Sequence, residues 1–281
     1  MHWADVEAGR LSAHPPPIII ATGITPSGPI HVGNMREILT ADGVRRGLEK
    51  EGIEATLLYV GDTFDPLRKV YPFLPKEYEE YVGRPLSEIP CPCGSHKSYA
   101  SHYLEPFLES AAKLGVPLTT VYTHEMYAEG GLSKAVHEVI THRDAIRRIL
   151  EKVSGRTLPP DWYPYNPKCR QCGRLTSTKA IEYVKPYVSY RCTCGFEGKA
   201  DIRRDEGKMP WRVEWPARWY ALGVICEPFG KDHAASGGSY DTGRRIIEEV
   251  FGREAPHPVV YEWIQLKGKG AMSSSKGIAV S

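Results

Sequence analysis

The sequence predicts an α/β fold built on a parallel sheet. A short apolar run over 17–21 predicts a strand, and a Gly/Pro/Ser-rich stretch over 22–29 follows it. A helical pattern then covers about 31–50, and a second apolar run over 55–60 predicts the next strand. This order is the usual opening of a parallel α/β sheet, whose ligands bind at the carboxyl ends of the strands. A ligand site is therefore expected near residues 23–34.

The predicted elements follow from local patterns. In the first helix, apolar residues recur at near-helical spacing, and Gly52 stands where a helix would end. Further along, the pattern predicts helical stretches at 99–114, 133–152 and about 241–251, β-rich segments such as 180–191, an apolar run over 258–266 and a final loop over 267–277.

Composition, net charge and the length of the apolar runs exclude several classes of protein. The chain has 281 residues, 41% of them apolar and 25% charged, which describes a globular protein rather than a disordered or fibrous one. A formal net charge of +2 gives no general signal for nucleic acid, and we expect no DNA partner. The longest apolar run, near 18–21, is far below the roughly 20 residues of a membrane span. We therefore expect a cytoplasmic protein with no membrane partner.

Two distant segments have the chemistry of a phosphate site. Residues 22–34 place glycines after a strand and His31 at a helix start, where free N–H groups favour anions. Residues 271–277 form a small-residue loop with hydroxyls and Lys276, preceded by Lys267 and Lys269. Each segment alone also fits an ordinary surface loop, so only the two segments together indicate a phosphate site.

Six of the seven cysteines are clustered, which favours metal binding in a reducing compartment. The stronger set has four thiols from two pairs at close to zinc-ribbon spacing, and the weaker set mixes two thiols with two imidazoles. The simpler interpretation is free cysteines for the first set and a solvated His102 for the second. The two sets are Cys169, Cys172, Cys192 and Cys194, and Cys91, Cys93, His96 and His102.

The two phosphate-type segments resemble the "HIGH" and "KMSKS" motifs of class I aminoacyl-tRNA synthetases. Further matches along nearly the whole chain resemble the class I lysyl-tRNA synthetases. These matches include Trp3-Ala4-Asp5, residues 23–28, residues 31–34, Arg36-Glu37, Arg68-Lys69-Val70, Ser98-Tyr99-Ala100, Trp211-Arg212-Val213, Arg218-Trp219, residues 230–233 and residues 239–243.

The resemblance implies a Rossmann-like fold of the synthetase (HUP) type, with its sheet split by an α-helical insertion and a zinc-ribbon-like insertion. The expected domains are a first catalytic half over 1–85, a helical insertion with a metal site over 86–160, a zinc-ribbon-like insertion over 161–207 and a second catalytic half over 208–281.

The implied reaction is the activation of lysine by ATP and its transfer to the acceptor end of tRNA(Lys). Magnesium would accompany ATP, and one zinc ion would be bound, or two if the second cluster is filled. Catalysis is assigned to His31, Asn34 and Lys276. The ATP site would comprise Pro26, Gly28, His31, Gly33, Asn34, Gly230, Asp232, His233, Met272, Ser273, Ser275 and Lys276.

Lysine recognition needs a buried anion for the ammonium group and an apolar wall for the methylenes. Glu37 lies six residues after His31, so it can face the same site, and the resemblance assigns it the lysine-reading role. Without the resemblance, a solvated helix carboxylate would be the commoner interpretation. The expected lysine site is Gly23, Thr25, Glu37, Trp219 and Tyr240, with Trp215 as a further wall candidate.

Three departures from the family pattern stand out. Ala271 replaces the first lysine of the "KMSKS" pattern, which predicts activity slowed by about one to two decades. Cys91 stands where the family has an acidic residue, and Ser95 stands where it has a cysteine. The sequence stops soon after residue 277, so a C-terminal anticodon-binding domain is expected to be absent.

Three alternatives remain at this stage. The chain could activate a different amino acid, or adenylate an amino acid for an acceptor other than tRNA. It could also be an RNA-binding zinc module on an inactive nucleotide-binding scaffold. The combination of His31, Glu37, Asp232 and Lys276 argues against the last, because an inactive scaffold has no physical need for these groups.

Overall fold

Strands and helices alternate at the start of the chain, and smaller elements follow. The computed structural model describes residues 2–155, 157–268 and 270–272. The strands are β1 (Ile18–Ile24), β2 (Ala55–Gly61), β3 (Thr119–Tyr122), β4 (Asn166–Pro167), β5 (Thr178–Val184), β6 (Tyr187–Cys192), β7 (Glu197–Asp201), β8 (Gly207–Lys208), β9 (Cys226–Gly230), β10 (His257–Tyr261), β11 (Gln265–Leu266) and β12 (Gly270–Ala271). The helices are α1 (Trp3–Leu11), α2 (Val32–Lys50), α3 (Tyr99–Lys113), α4 (Thr123–Ala128), α5 (Ser133–Thr141), α6 (Arg143–Ser154), α7 (Trp211–Leu222), α8 (Lys231–Ala234) and α9 (Ser239–Phe251), with 3-10 turns at Lys76–Tyr81 and Leu86–Glu88.

Five strands form the central sheet in the order β10-β9-β1-β2-β3, and every neighbouring pair is parallel. Ile20 on β1 lies opposite Leu57 on one side and Cys226 on the other. The chain winds outward from β1 to β3 and then returns on the other side of β1 with β9. Such a reversal opens a crevice at the carboxyl ends of the strands. The predicted parallel α/β fold is confirmed.

Three local expectations differ from the structure. Strand β1 extends three residues past the predicted end at 21, because Thr22 to Ile24 continue the register with β2. The stretch predicted as one helical unit over 133–152 is two helices, α5 and α6, separated at His142, whose ψ of 23° is not helical. Strand β3 belongs to the central sheet although it lies in the 86–160 stretch, since it pairs with β2.

Helices cover both faces of the sheet. On one face, α1 and α2 bury Leu11, Ile38 and Leu48 against β1 and β2. On the other face, Trp219 of α7 and Ile247 of α9 pack in a separate cluster with Ala21, Leu58 and Phe229 of the strands. Burial of large side chains on both faces accounts for the apolar strands, which lack simple alternation.

The chain between β3 and β9 forms smaller units around their own core. Helices α4 to α6 pack with α7 and α9, and β5, β6 and β7 form a three-stranded antiparallel sheet. Buried residues of the helices and of this small sheet share one apolar cluster, which includes Val136, Ile146, Val188 and Tyr190. Among the described helices, none combines the length and apolar character needed to cross a membrane.

A buried ionic cluster connects the small units to the central sheet. The ammonium of Lys208, which is 2% exposed, lies 3.4 Å from the Asp62 carboxylate and 3.0 Å from that of Glu214, and also contacts Asp65. Arg218 lies 3.3 Å from Asp62 and 3.5 Å from Glu214. Burial opposes ionisation of Asp62, but Lys208 and Arg218 together lower its pKa below the ordinary value.

We expect Lys208→Met to destabilise the protein by about 3–5 kcal/mol, because three buried carboxylates lose their shared ammonium while the side-chain volume is kept. Urea unfolding followed by circular dichroism measures the change in the free energy of unfolding.

Lys199→Met on β7 is the matched control, since Lys199 is exposed and its loss should change stability by less than about 0.5 kcal/mol. Equal unfolding midpoints for the two variants would contradict a structural role of the cluster.

Candidate active site

A cavity of about 610 Å³ opens where the carboxyl ends of the central strands meet helix α2. It lies at the reversal between β1 and β9, as the parallel fold requires. Its predicted lining residues are Gly23, Thr25, His31, Gly33, Asn34, Glu37, Trp215, Trp219, Gly230, Asp232, His233 and Met272. Among its other lining residues are Asp62, Asp65, Arg68, Trp211, Arg218, Glu227 and Tyr261.

The loop from β1 to α2 ends at His31, whose imidazole lies at the start of α2. The backbone N–H of His31 donates to the Asn34 side chain at 3.2 Å, which holds the first turn of α2. A Cβ on Gly33 would lie 2.9 Å from the His31 ring, so only glycine leaves room for the ring there. Burial lowers the pKa of His31, and its Nδ1 is buried with no hydrogen-bond partner among the described residues. A neutral ring and free helix N–H groups together suit a phosphate.

Glu37 projects from α2 onto the cavity wall, where its two oxygens have different partners. One accepts from the backbone N–H of Gly23 at 2.9 Å, and the other accepts from the Tyr261 hydroxyl at 2.8 Å. Within the described part of the chain, Glu37 forms no ion pair. Burial raises the pKa of Glu37 to about 8, although both hydrogen bonds oppose the rise.

A second buried carboxyl, Glu227 on β9, supports the aromatic wall. It accepts from the indole N–H of Trp215 at 2.8 Å and from that of Trp219. Burial raises the pKa of Glu227 to about 7, with the two indoles opposing. The rings of Trp215 and Trp219 lie 4.9 Å apart. Glu227 is 7% exposed and holds the two indoles in place, whereas Glu37, whose oxygens also accept one hydrogen bond each, is partly exposed on the cavity wall.

Asp232 and His233 also line the cavity, from the short helix α8 that follows β9. A Cβ on Gly230 would lie 2.6 Å from the Asp232 carboxylate, so glycine allows this close turn. The indole N–H of Trp263 donates to Asp232 at 3.1 Å. His233 lies 2.6 Å from the Ser239 hydroxyl, and burial lowers its pKa although Asp232 opposes.

Several predicted site residues do not line the cavity. Pro26 and Gly28 are buried in the loop behind His31. Tyr240 packs behind Trp219, with ring centroids 5.8 Å apart, and its hydroxyl donates to the Pro256 carbonyl at 2.8 Å. Ser273, Ser275 and Lys276 lie outside the described residues.

The cavity residues that were not predicted include Tyr261 and Glu227, which contact predicted site residues, and Asp62. Tyr261 ends β10, and the carboxyl end of a parallel strand was the signal that could have identified it. Glu227 is an acidic residue in a five-residue strand that is buried throughout, which marks a charge needing partners. Asp62 comes directly after β2, at the carboxyl end of a parallel strand. Its partners Lys208 and Arg218 come from distant segments of the chain.

Both predicted cysteine clusters are assembled and could hold a metal ion. In each, the four ligand atoms lie within 4.8 Å of one another. In the first cluster, Cys169 and Cys194 have Sγ atoms 3.7 Å apart, as do Cys172 and Cys192. Four thiolates at about 2.3 Å from a tetrahedral zinc require nearly this separation, so the donor set fits zinc.

The second cluster is equally regular. The Sγ atoms of Cys91 and Cys93 are 3.3 Å apart, and each lies 3.3–3.5 Å from the Nδ1 atoms of His96 and His102. Two thiols and two imidazoles at these distances also fit a tetrahedral ion. His102, the least certain ligand on sequence grounds, takes the same position as the other three.

Comparison with known proteins places this geometry in a family. A family model described as tRNA synthetases class I (K) matches residues 1–281. The lysine--tRNA ligase of Methanosarcina barkeri (strain Fusaro / DSM 804) is 53% identical over 283 residues, covering 100% of this chain and 52% of that protein. That of Thermoplasma acidophilum is 54% identical over 281 residues, covering 100% and 55%. The chain thus spans about half the length of these curated relatives.

The solved structures support the fold. Tyrosyl-tRNA synthetase from Aeropyrum pernix superposes with a TM-score of 0.51 at 12% identity, covering 97% of this chain and 66% of that one. The resemblance seen in the sequence motifs is confirmed, since the family model covers every residue and relatives exceed 50% identity. The chain belongs to the class I (K) family of tRNA synthetases.

Proposed function

We propose that the chain is the catalytic part of a lysine--tRNA ligase, which activates lysine with ATP and supplies the product to tRNA(Lys). The observation that carries the proposal is the Glu37 carboxyl, held by Gly23 and Tyr261 on the wall of a 610 Å³ cavity with acceptor positions to spare. A carboxylate offers about four acceptor positions, and two of them are used here. The names of the relatives support lysine as the amino acid.

The reaction needs orientation and charge stabilisation more than proton transfer. A carboxylate oxygen of lysine attacks the α-phosphorus of ATP, a new O–P bond forms, and the bond to the bridging oxygen breaks as pyrophosphate leaves. Groups aimed at the developing phosphate charge lower the barrier. His31, Asn34 and the N–H groups at the start of α2 are suited to this role, and Lys276 with Ser273 and Ser275 would complete it.

The nucleotide and the amino acid would occupy different parts of the cavity. Asp232 and His233 would contact the nucleotide, with Gly230 and Met272 beside them. Glu37 and Thr25 would hold the lysine ends, and the indoles of Trp215 and Trp219 would cover its methylenes. Magnesium bound with ATP would neutralise phosphate charge. We expect the reaction in the cytoplasm.

The two cysteine clusters would each hold a structural zinc ion. Tetrahedral distances among four donors support this assignment at both places, and such sites add directly to folding free energy. Their zinc would lie outside the cavity lining, so it takes no part in the chemistry proposed here.

We expect lysine affinity to rise about tenfold per pH unit up to pH 8 and to level off above it. The Glu37 carboxyl, with a pKa of about 8, must lose its proton before it can pair with an ammonium group. The lysine ammonium itself stays charged until about pH 10.4. Calorimetric titration of lysine between pH 6 and 9.5 measures this slope and the proton released on binding.

Glu37→Gln should remove the slope and weaken lysine binding at pH 8.5 on the order of 10- to 100-fold, through loss of a charge-assisted hydrogen bond. Glu51→Gln, at the exposed end of α2, is the matched control and should behave as wild type. Wild-type-like lysine binding by Glu37→Gln would refute the assignment of the lysine site.

We expect two equivalents of zinc per chain, and one equivalent after either Cys169→Ser or Cys93→Ser. Each variant removes one of four donors from a different cluster. Metal analysis after dialysis against a weak chelator gives the content.

Cys226→Ser is the control because Cys226 is buried in β9 outside both clusters, and this variant should keep both ions. A wild-type chain without zinc, or variants that keep two equivalents, would count against the proposed sites.

A further inference from the structure

Tyr99, the first residue of α3, contacts the loop that joins β1 to α2. We call residues 25–31 the glycine loop. The Tyr99 hydroxyl donates to the backbone carbonyl of Ser27 at 2.8 Å, across 72 residues of sequence. Tyr99 is 0% exposed, so its hydroxyl is shielded from water, whereas Ser27 is partly exposed. It holds the middle of the glycine loop from outside the cavity.

A second contact fixes the loop one residue further on. A Cβ built on Gly28 would lie 2.6 Å from Cζ of Phe73, so the backbone of the loop rests directly on this ring. Phe73 in turn stacks on Tyr71 at 5.4 Å and meets the edge of Tyr103 at 6.1 Å. The Phe73 ring, which is 39% exposed, is thus held on its protein side by two neighbouring aromatic rings.

The same aromatic residues extend to the second cysteine cluster. Tyr103 lies 5.0 Å from Tyr99 and 4.6 Å from the ring of His102, centroid to centroid. Tyr78, 6.0 Å from Tyr99, donates its hydroxyl to the carbonyl of Pro90 at 2.9 Å, next to Cys91. A continuous group of aromatic rings, of which Tyr78 and Tyr99 are buried, thus extends from the Cys/His cluster to the glycine loop.

The position of this loop matters because its end carries His31 and the start of α2. The Ser27 N–H donates to the Thr25 carbonyl at 2.8 Å, and the Thr25 hydroxyl donates to Asp65 at 2.9 Å. Catalysis that depends on orientation is sensitive to shifts of about 1 Å in such groups. An external support is therefore expected to affect nucleotide binding.

We propose that Tyr99 is a positioning residue for the nucleotide site, which acts through Ser27 and, together with Phe73, holds the glycine loop in the form that receives ATP. The inference rests on the proposed function, since it assumes that the loop serves ATP. It assigns Tyr99 and Phe73 a role in nucleotide affinity as well as in stability.

The test compares Tyr99→Phe with Tyr78→Phe by calorimetric titration of the wild-type and variant chains with magnesium-ATP and, separately, with lysine. Both variants lose one buried hydroxyl that donates to a backbone carbonyl, but only Tyr99 contacts the glycine loop. We expect Tyr99→Phe to weaken ATP binding roughly three- to tenfold, as the loss of one neutral hydrogen bond allows. Lysine binding should not change, and Tyr78→Phe should bind ATP as wild type does.

Gly28→Ala tests the same loop at its contact with Phe73. It should also weaken ATP binding without changing lysine binding. Equal ATP affinity of Tyr99→Phe and Tyr78→Phe, with similar thermal midpoints, would mean that Tyr99 has only a structural role. This result would overturn the inference but not the proposed function. A wild-type chain that binds no ATP would overturn the proposed function as well.

Discussion

Three buried carboxylates, Asp62, Asp65 and Glu214, share the ammonium of Lys208, and this arrangement makes the rest of the structure possible. The central sheet is interrupted after β3 and resumes at β9, with over a hundred residues between them. Lys208 lies on the returning chain, whereas Asp62 follows β2. Isolated buried charges are too costly to persist, so the two segments must meet for any of them to be satisfied. The same cluster borders the cavity through Asp62, Asp65 and Arg218, which fixes one of its walls.

The cavity wall holds two carboxyl groups that differ in the kind of their partners and in their exposure. Glu227 has both oxygens occupied by indole N–H groups, and it orders the aromatic wall. Glu37 accepts from a backbone N–H and a phenol hydroxyl, and it is partly exposed to the cavity. Burial raises the pKa of Glu227 to about 7 and that of Glu37 to about 8. Of the two carboxyls, Glu37 is therefore the more accessible to a cation that enters the cavity.

The sequence predicts those strands, helices and ligand clusters that are determined by patterns of neighbouring residues. The β1-α2-β2 unit follows from apolar periodicity and a glycine-rich turn, and both clusters of possible metal ligands follow from the pairing of Cys and His residues along the chain. The break at His142, the placement of Tyr240 behind Trp219 and the sheet membership of β3 depend on packing between distant segments. The partners of Glu37 and Glu227 escaped prediction for the same reason, since Tyr261 is 224 residues from Glu37 along the chain. The roles of Ser273, Ser275 and Lys276 stay predictions.

The central claim is that this chain joins lysine to the α-phosphate of ATP. The most direct measurement is isotope exchange between pyrophosphate and ATP in the presence of each of the twenty amino acids, with and without tRNA. We expect exchange with lysine and not with the others, at a rate about one to two decades below that of a synthetase with lysine at the position of Ala271. Exchange driven by another amino acid, or no exchange with any, would contradict it.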